Sequence, residues 1–224
     1  VSEWPADRDS LFPLEAALAT RIADRVLSGG KQLVVEDIQE LWLLQAMNYA
    51  LQNRGKSGLS PDIRITPAGG TSNLIPLALM MSTHKRPAAV LLSGQNIPFD
   101  ALKKLPTMNI REGNGLLLYS SFAQQQGAGI EDLFAPDFYY RCVKDIYPDL
   151  PLGQVAEKSP ADRNEERGVA FQIADLIERR QAEHFDRWRV AELLSDRICE
   201  SPQNLDDETI DRFSRLFAEI NRLV

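Results

Sequence analysis

Residue types that carry much of enzyme chemistry are scarce in this sequence. Only Cys142 and Cys199 are present, far apart, which is too few for a zinc site by themselves and suits a reducing compartment; both read as packing residues. The two histidines, His84 and His184, are also far apart, and no Ser/His/Asp or Cys/His arrangement forms around them, which argues against nucleophilic catalysis. No apolar run reaches the roughly 18 residues that a membrane helix needs. The first residues lack the basic, apolar and small-residue order of a signal peptide, so the chain reads as cytoplasmic, with no membrane partner. Positive charge is also short: 25 Lys and Arg stand against 32 Asp and Glu, for a net charge of -7. Nonspecific affinity for phosphates comes from clustered Lys and Arg, so a broad basic coat is excluded and any DNA contact must be local or metal-assisted. The sequence opens on Val1 and not Met, in keeping with a processed or excised piece of a longer protein.

What is present is an ordinary globular composition, 44% hydrophobic and 25% charged, over 224 residues, enough for an α/β domain with a helical appendage. Leu11, Leu14, Leu18, Ile22 and Val26 have helical spacing and predict a lead-in helix before Gly29-Gly30. Strand then alternates with helix. Gln32 to Glu36 is followed by a helical pattern from Asp37 to about Asn53, Ile63 to Thr66 by a glycine turn and a helix over 72–81, and Ala88 to Leu92 by a polar loop and a short helix near 99–104. A last strand, Leu116 to Tyr119, leads to Ile130-Glu131-Asp132-Leu133-Phe134. Such alternation implies a mainly parallel sheet with helices on both faces. Beyond a polar stretch over 157–167, helical segments near 169–184, 187–200 and 206–223 predict a small all-helical C-terminal subdomain. The expected division is therefore a lead-in helix over 1–30, an α/β domain over 31–150 and the helical subdomain over 151–224.

In open α/β sheets ligands bind outside the C-terminal ends of the strands, which directs attention to the residues there. Glu36 ends the first strand and Glu40 follows one helical turn later on the same face, either as paired site acids or as acids favoured by a helix N-terminus. Leu92 is followed by Ser93, Gly94, Gln95 and Asn96, hydroxyl and amides but no acid, which also suits a plain polar turn. Glu131 and Asp132 form a second acidic pair, as site groups or as helix caps. Gly69, Gly70 and Thr71 open a helix, where free N–H groups can take a phosphate or merely let the chain turn tightly. Gly29-Gly30-Lys31 lacks the remainder of a phosphate-loop pattern, so no nucleotide site is expected in this chain.

Taken in order, several segments resemble the Toprim region and helical tail of the OLD (overcoming lysogenization defect) family of ATP-dependent endonucleases. They are Ser10-Leu11-Phe12-Pro13-Leu14, Leu33-Val34-Val35-Glu36 with Glu40, and Thr66-Pro67-Ala68-Gly69-Gly70. They continue with Ile130-Glu131-Asp132-Leu133-Phe134 and Asp137-Phe138-Tyr139, Phe185-Asp186-Arg187 with Arg189-Val190-Ala191, and Asp211-Arg212-Phe213 with Leu216-Phe217 and Ile220-Asn221. The resemblance implies a Toprim-like sheet and carboxylates, here Glu36, Glu40 and Glu131 with Asp132 beside them, that hold divalent metals for phosphodiester cleavage. It implies Arg187 in place of the lysine usual in such nucleases. It also implies an ATPase module upstream or on a partner chain, DNA as partner, and a homodimer. The sequence departs from the family at the third strand, where an Asp-x-Asp pair is replaced by Ser93-Gly94-Gln95. A weakly held Mg²⁺ or Mn²⁺ and a weakened or lost cleavage follow from that departure, within a DNA-processing or phage-defence protein. The alternative is a noncatalytic scaffold on the same fold, used for dimerisation or for docking an ATPase or DNA.

Overall fold

The computed structural model describes residues 30–74, 76–77, 88–93, 111–112, 115–123, 125–150, 168–179 and 185–224. The expected lead-in helix, the helix near 99–104, the polar stretch over 157–167, both histidines and Gln95 lie outside them.

The strands are β1 (Lys31–Val35), β2 (Ile63–Pro67), β3 (Ala88–Leu92), the two-residue β4 (Arg111–Glu112) and β5 (Gly115–Leu118). Their order across the sheet is β2-β1-β3-β5-β4, and β2, β1, β3 and β5 pair in parallel. The chain is thus α/β, as its alternating pattern predicts. Short apolar strands suit this place because both sheet faces are covered, so neighbouring residues are buried in opposite directions. Leu33, Val35, Ala89, Leu91 and Leu117 join the larger core, while Val34, Val90, Leu92 and Leu116 join a smaller one with Leu74 from the helical residues 71–74. Within the sheet the buried Thr66 hydroxyl donates to Gln32 Oε1 at 3.0 Å, giving adjoining strands a satisfied polar pair.

Helix α1 (Ile38–Asn53) begins after Asp37, and Glu40 in its first turn reaches back to accept the Asp37 N–H at 3.2 Å. Its apolar residues, Leu41, Leu43, Leu44, Ala46, Met47, Ala50 and Leu51, surround much of the helix. It is accordingly buried between β1 and β2 on one side and tail helices on the other. After α2 (Ser120–Ala123) and the 3-10 turn Ile130–Leu133 come α3 (Pro136–Ile146), α4 (Val169–Arg179), α5 (Arg187–Glu200) and α6 (Asp207–Leu223).

The tail helices do not build a core of their own. Ile173 and Ile177 of α4, Val190, Leu194 and Ile198 of α5, and Phe213, Phe217 and Ile220 of α6 share one continuous cluster with Leu33, Val35 and Leu91 of the sheet. Arg54, past the end of α1, adds a polar tie: its guanidinium donates to the carbonyls of Pro202 at 3.2 Å, Gln203 at 2.8 Å and Leu205. The apolar face of α6 is therefore used within the chain, with Ile210, Phe213, Leu216, Phe217 and Ile220 all buried. Among the described residues no helix is long and apolar enough to cross a membrane.

Candidate functional site at the carboxyl rim of the sheet

In this strand order the chain leaves β1 for β2 on one side and then crosses to β3 on the other. The connections diverge between β1 and β3, where doubly wound sheets leave a crevice at the carboxyl ends. Glu36 and Ser93 immediately follow those two strands and meet there: the Ser93 hydroxyl donates to Glu36 Oε2 at 3.2 Å. Glu36 Oε1 accepts the Thr71 hydroxyl. One carboxylate is thus held by hydroxyls from the connections that follow β2 and β3.

The glycine turn after β2 has a definite job. Gly69 and Gly70 both have left-handed backbone, with φ of +74° and +116°, a pairing that side chains with a Cβ rarely adopt. This lets the Gly70 N–H reach the Glu36 carbonyl at 2.9 Å and brings Thr71 to the Glu36 carboxylate. The anion at this helix start is the protein's own. A phosphate approaching Gly69, Gly70 and Thr71 would meet that negative charge.

Glu40 does not project beside Glu36 as a second free carboxylate. It is buried, and its Oε2 accepts the Glu36 N–H at 2.5 Å as well as that of Asp37. Burial, then the nearby Glu36 charge, pushes the Glu40 carboxyl from its ordinary 4.5 up to about 8, so that it holds its proton at neutral pH.

The third acid arrives from outside the sheet. Glu131 on the 3-10 turn is nearly sealed and meets Arg187, the first residue of α5. Arg187 Nε and Nη2 both donate to Glu131 Oε1, at 2.8 and 2.7 Å. Glu131 Oε2 is buried with no hydrogen-bond partner among the described residues. Asp186, the preceding residue, caps α5, its carboxylate accepting the Arg189 N–H at 3.1 Å, while its own N–H donates to the Tyr147 hydroxyl at 2.8 Å. The adjacent Glu131 carboxylate raises the Arg187 pKa further still.

Asp132 is engaged differently. Its two oxygens accept the Gly129 N–H at 2.8 Å and the Val169 N–H at 2.9 Å, the latter at the start of α4. Burial lifts its carboxyl from 3.8 to about 6. Gly168 makes room for it, since a Cβ there would stand 2.5 Å from Asp132 Oδ2 and 3.0 Å from the Gly127 carbonyl oxygen. A cavity of about 150 Å³ lies beside Glu131 and Asp132, lined also by Gln125, Gln172 and Arg212. A larger hollow of about 570 Å³ lies away from these acids, between α1 and β2.

Two tyrosines belong to the rim that sequence reading passed over. Tyr119, the residue after β5, is fully buried, in the electrostatic field of Glu40, Glu131 and Glu36; its hydroxyl is within reach of Glu40 yet closes no hydrogen bond of normal geometry. The buried Tyr139 hydroxyl feels Glu131 most strongly and also lacks a partner. Burial, reinforced by the surrounding carboxylates, holds both phenols well above their usual range. The available signal was the placement of Tyr119 directly after an apolar strand, in the position equivalent to Glu36 and Ser93.

The acids expected to ligate a divalent ion are thus committed elsewhere: Glu36 to two hydroxyls, Glu40 to the backbone and a proton, Glu131 to Arg187. Among the described residues no group of three His, Cys, Asp or Glu side chains is arranged to hold a metal ion. In this arrangement the donor set does not fit a divalent ion, which needs several anionic or neutral oxygens turned to one point. Comparison with protein-family models, curated proteins and solved structures finds no match to this chain.

Proposed function

We propose that the chain is a Toprim-like module of the OLD type, belonging to an ATPase-coupled DNA-processing or phage-defence protein, in which metal-dependent phosphodiester cleavage is weakened or lost. The observation that carries this reading is the Ser93–Glu36 hydrogen bond at the divergence of β1 and β3. A nuclease rim of that type needs anionic ligands there, and a hydroxyl that donates to the one carboxylate removes ligand capacity from both residues. Glu131, paired with Arg187, and Glu40, held protonated, weaken the remaining donor set in the same direction. The ATPase would lie upstream or on a partner chain, and DNA would be the substrate or the docked partner.

Plasmid nicking in Mg²⁺ or Mn²⁺ tests the reading. The wild-type chain is expected to nick slowly or not at all, and Ser93→Asp/Gln95→Asp to gain activity that Glu36→Ala removes. Robust wild-type cleavage abolished by Glu36→Ala would refute the claimed loss.

A second reading, a noncatalytic docking scaffold, draws support from aromatic exposure. Trp188 is 51% exposed and Tyr49 47% exposed, with Trp42 and Trp188 in edge-to-face contact at 5.3 Å between ring centroids. Light scattering distinguishes it: Trp188→Ser should leave the mass unchanged if this face makes no self-contact, and halve it if the scaffold dimerises there.

A further inference from the structure

The hollow of about 570 Å³ between α1 and β2 lies away from the acids of the rim, and its size falls within the roughly 300–1,000 Å³ range of ligand pockets. Gln45, Asn48 and Gln52 line it from one face of α1. The segment leading into β2 is held in place: Leu59 N–H donates to Asn48 Oδ1 at 2.7 Å, Ser60 N–H to Asn221 Oδ1 at 2.8 Å, and Asn221 Nδ2 to the Gly58 carbonyl at 2.9 Å. The hollow is therefore formed before anything enters it. Among the described residues β2 is also the outermost strand on this side of the sheet. Ala68 N–H donates to the Val35 carbonyl, which fixes the alternation along β2: Arg64 and Thr66 turn their backbone groups to β1, and Ile63, Ile65 and Pro67 turn theirs outward. The Ser60 carbonyl already accepts the Ile63 N–H at 3.0 Å, and Pro67 has no N–H. The outward edge thus offers one donor, at Ile65, and the carbonyls of Ile63, Ile65 and Pro67.

We propose that this edge and the hollow beside it receive an extended segment of a different polypeptide, apolar opposite Ile63 and Ile65 and acidic opposite Arg64, which adds to the sheet as a strand next to β2. An antiparallel strand from another protein closes a reciprocal pair of hydrogen bonds at Ile65 and donates one N–H each to the Ile63 and Pro67 carbonyls, four bonds in all. Two copies of β2 paired about Ile65 would instead set Ile63 against Pro67, where one N–H is engaged and the other missing, so only the central two bonds would close. Ile63 and Ile65 pack against the larger core, which calls for apolar side chains at the positions opposite them. Arg64 carries the only charge among the described residues that line the hollow, which calls for an acid between those apolar positions. Gln45 and Gln52, exposed on α1, each bring an amide that can donate to and accept from peptide groups. None of this rests on the chemistry of the rim.

Titration of the isotope-labelled full chain with two blocked heptapeptides, one alternating valine with glutamate and the other valine with lysine, reads this by magnetic resonance. The Ile65 N–H is expected to shift and to gain protection from solvent exchange. The glutamate peptide should bind about twofold to fivefold more tightly than the lysine peptide, and Arg64→Glu, a change at an exposed position, should reverse that order. A glutamate peptide N-methylated at its valines loses the N–H groups that would face β2 and should not bind, whereas one N-methylated at its glutamates should bind as before. No binding, equal binding of all the peptides, or shifts confined to residues outside β2 and the hollow would overturn the proposal. Protection of the Ile65 N–H that grows with protein concentration and needs no peptide would assign the edge to a second copy of the chain, and would overturn it equally.

Discussion

Glu40 shows how burial sets the behaviour of a single side chain. Its carboxyl titrates at about 8 in the folded protein against 4.5 ordinarily, so between those values the native state binds a proton that the unfolded chain has released. The associated stability is fully present below pH 4.5 and is lost as pH rises through 8, a loss of a few kcal/mol in total. Asp132 acts in the same direction between 3.8 and about 6, which among the described residues leaves Glu40 as the main source of the slope from pH 6 to 8. Urea midpoints measured across that range should fall with pH in the wild type and stay flatter in Glu40→Gln, whose amide oxygen can still accept the Glu36 and Asp37 N–H groups. An equal slope in both proteins would count against a neutral, buried Glu40. Gly168 gives a steric counterpart. In Gly168→Ala the methyl group would press on Asp132 and on the Gly127 carbonyl, and the expected cost is about 1–3 kcal/mol by chemical denaturation.

At the scale of elements, the caps do more than end helices. Asp206 Oδ1 accepts the Thr209 N–H at 2.8 Å, and its Oδ2 accepts the Thr209 hydroxyl at 2.6 Å, while the same hydroxyl oxygen accepts the Ala135 N–H at 2.9 Å. The start of α6 is thereby joined to the start of α3. Asp186 likewise caps α5 and presents Arg187 to Glu131. Removing that cap in Asp186→Ala should cost about 0.5–2 kcal/mol in the thermal or urea transition. It should also loosen the Arg187–Glu131 pair, seen as faster solvent exchange of the Arg187 Nε–H. An unchanged exchange rate would mean that packing of α5 on α1, not the cap, places the guanidinium.

For the whole molecule, the shared core ties the tail to the sheet. Phe213 of α6 is completely buried and packs against Phe134 at 5.0 Å and Phe217 at 6.1 Å between ring centroids. Phe213→Ala is expected to cost about 3–5 kcal/mol, the range for deleting a buried aromatic side chain. Hydrogen exchange should report the loss in β1 and β3 as well as in α5 and α6, because these elements bury the same cluster. Deprotection confined to α6 would indicate a separable helical unit instead.

Much of the architecture is legible along the chain because its causes are local. Leu33-Val34-Val35 and Ala88 to Leu92 are apolar on both pleat directions, so they declare strands covered on two faces, and the pattern from Asp37 to Asn53 declares α1. Glu36 and Ser93 follow their strands directly and Gly69-Gly70 comes one residue after β2, so their place on one rim is a consequence of parallel strand order. What sequence by itself determined is the alternation of four apolar strands with helices in a mainly parallel sheet and the residues at the strands' carboxyl ends; the strand order, β4, α2 and α3 came with the tertiary structure. Only the tertiary structure decided what those residues do to one another. Arg187 and Glu131 are 56 positions apart, and a contact across that span depends on how α5 docks. Glu40 has the spacing of a second site acid, yet burial beside the Glu36 charge keeps it protonated, against the pull of the two backbone N–H groups it accepts as a cap. The periodicity of α6 fixes an apolar face but not its partner, and that face went to the chain's own core because burying it there completes the cluster under the sheet.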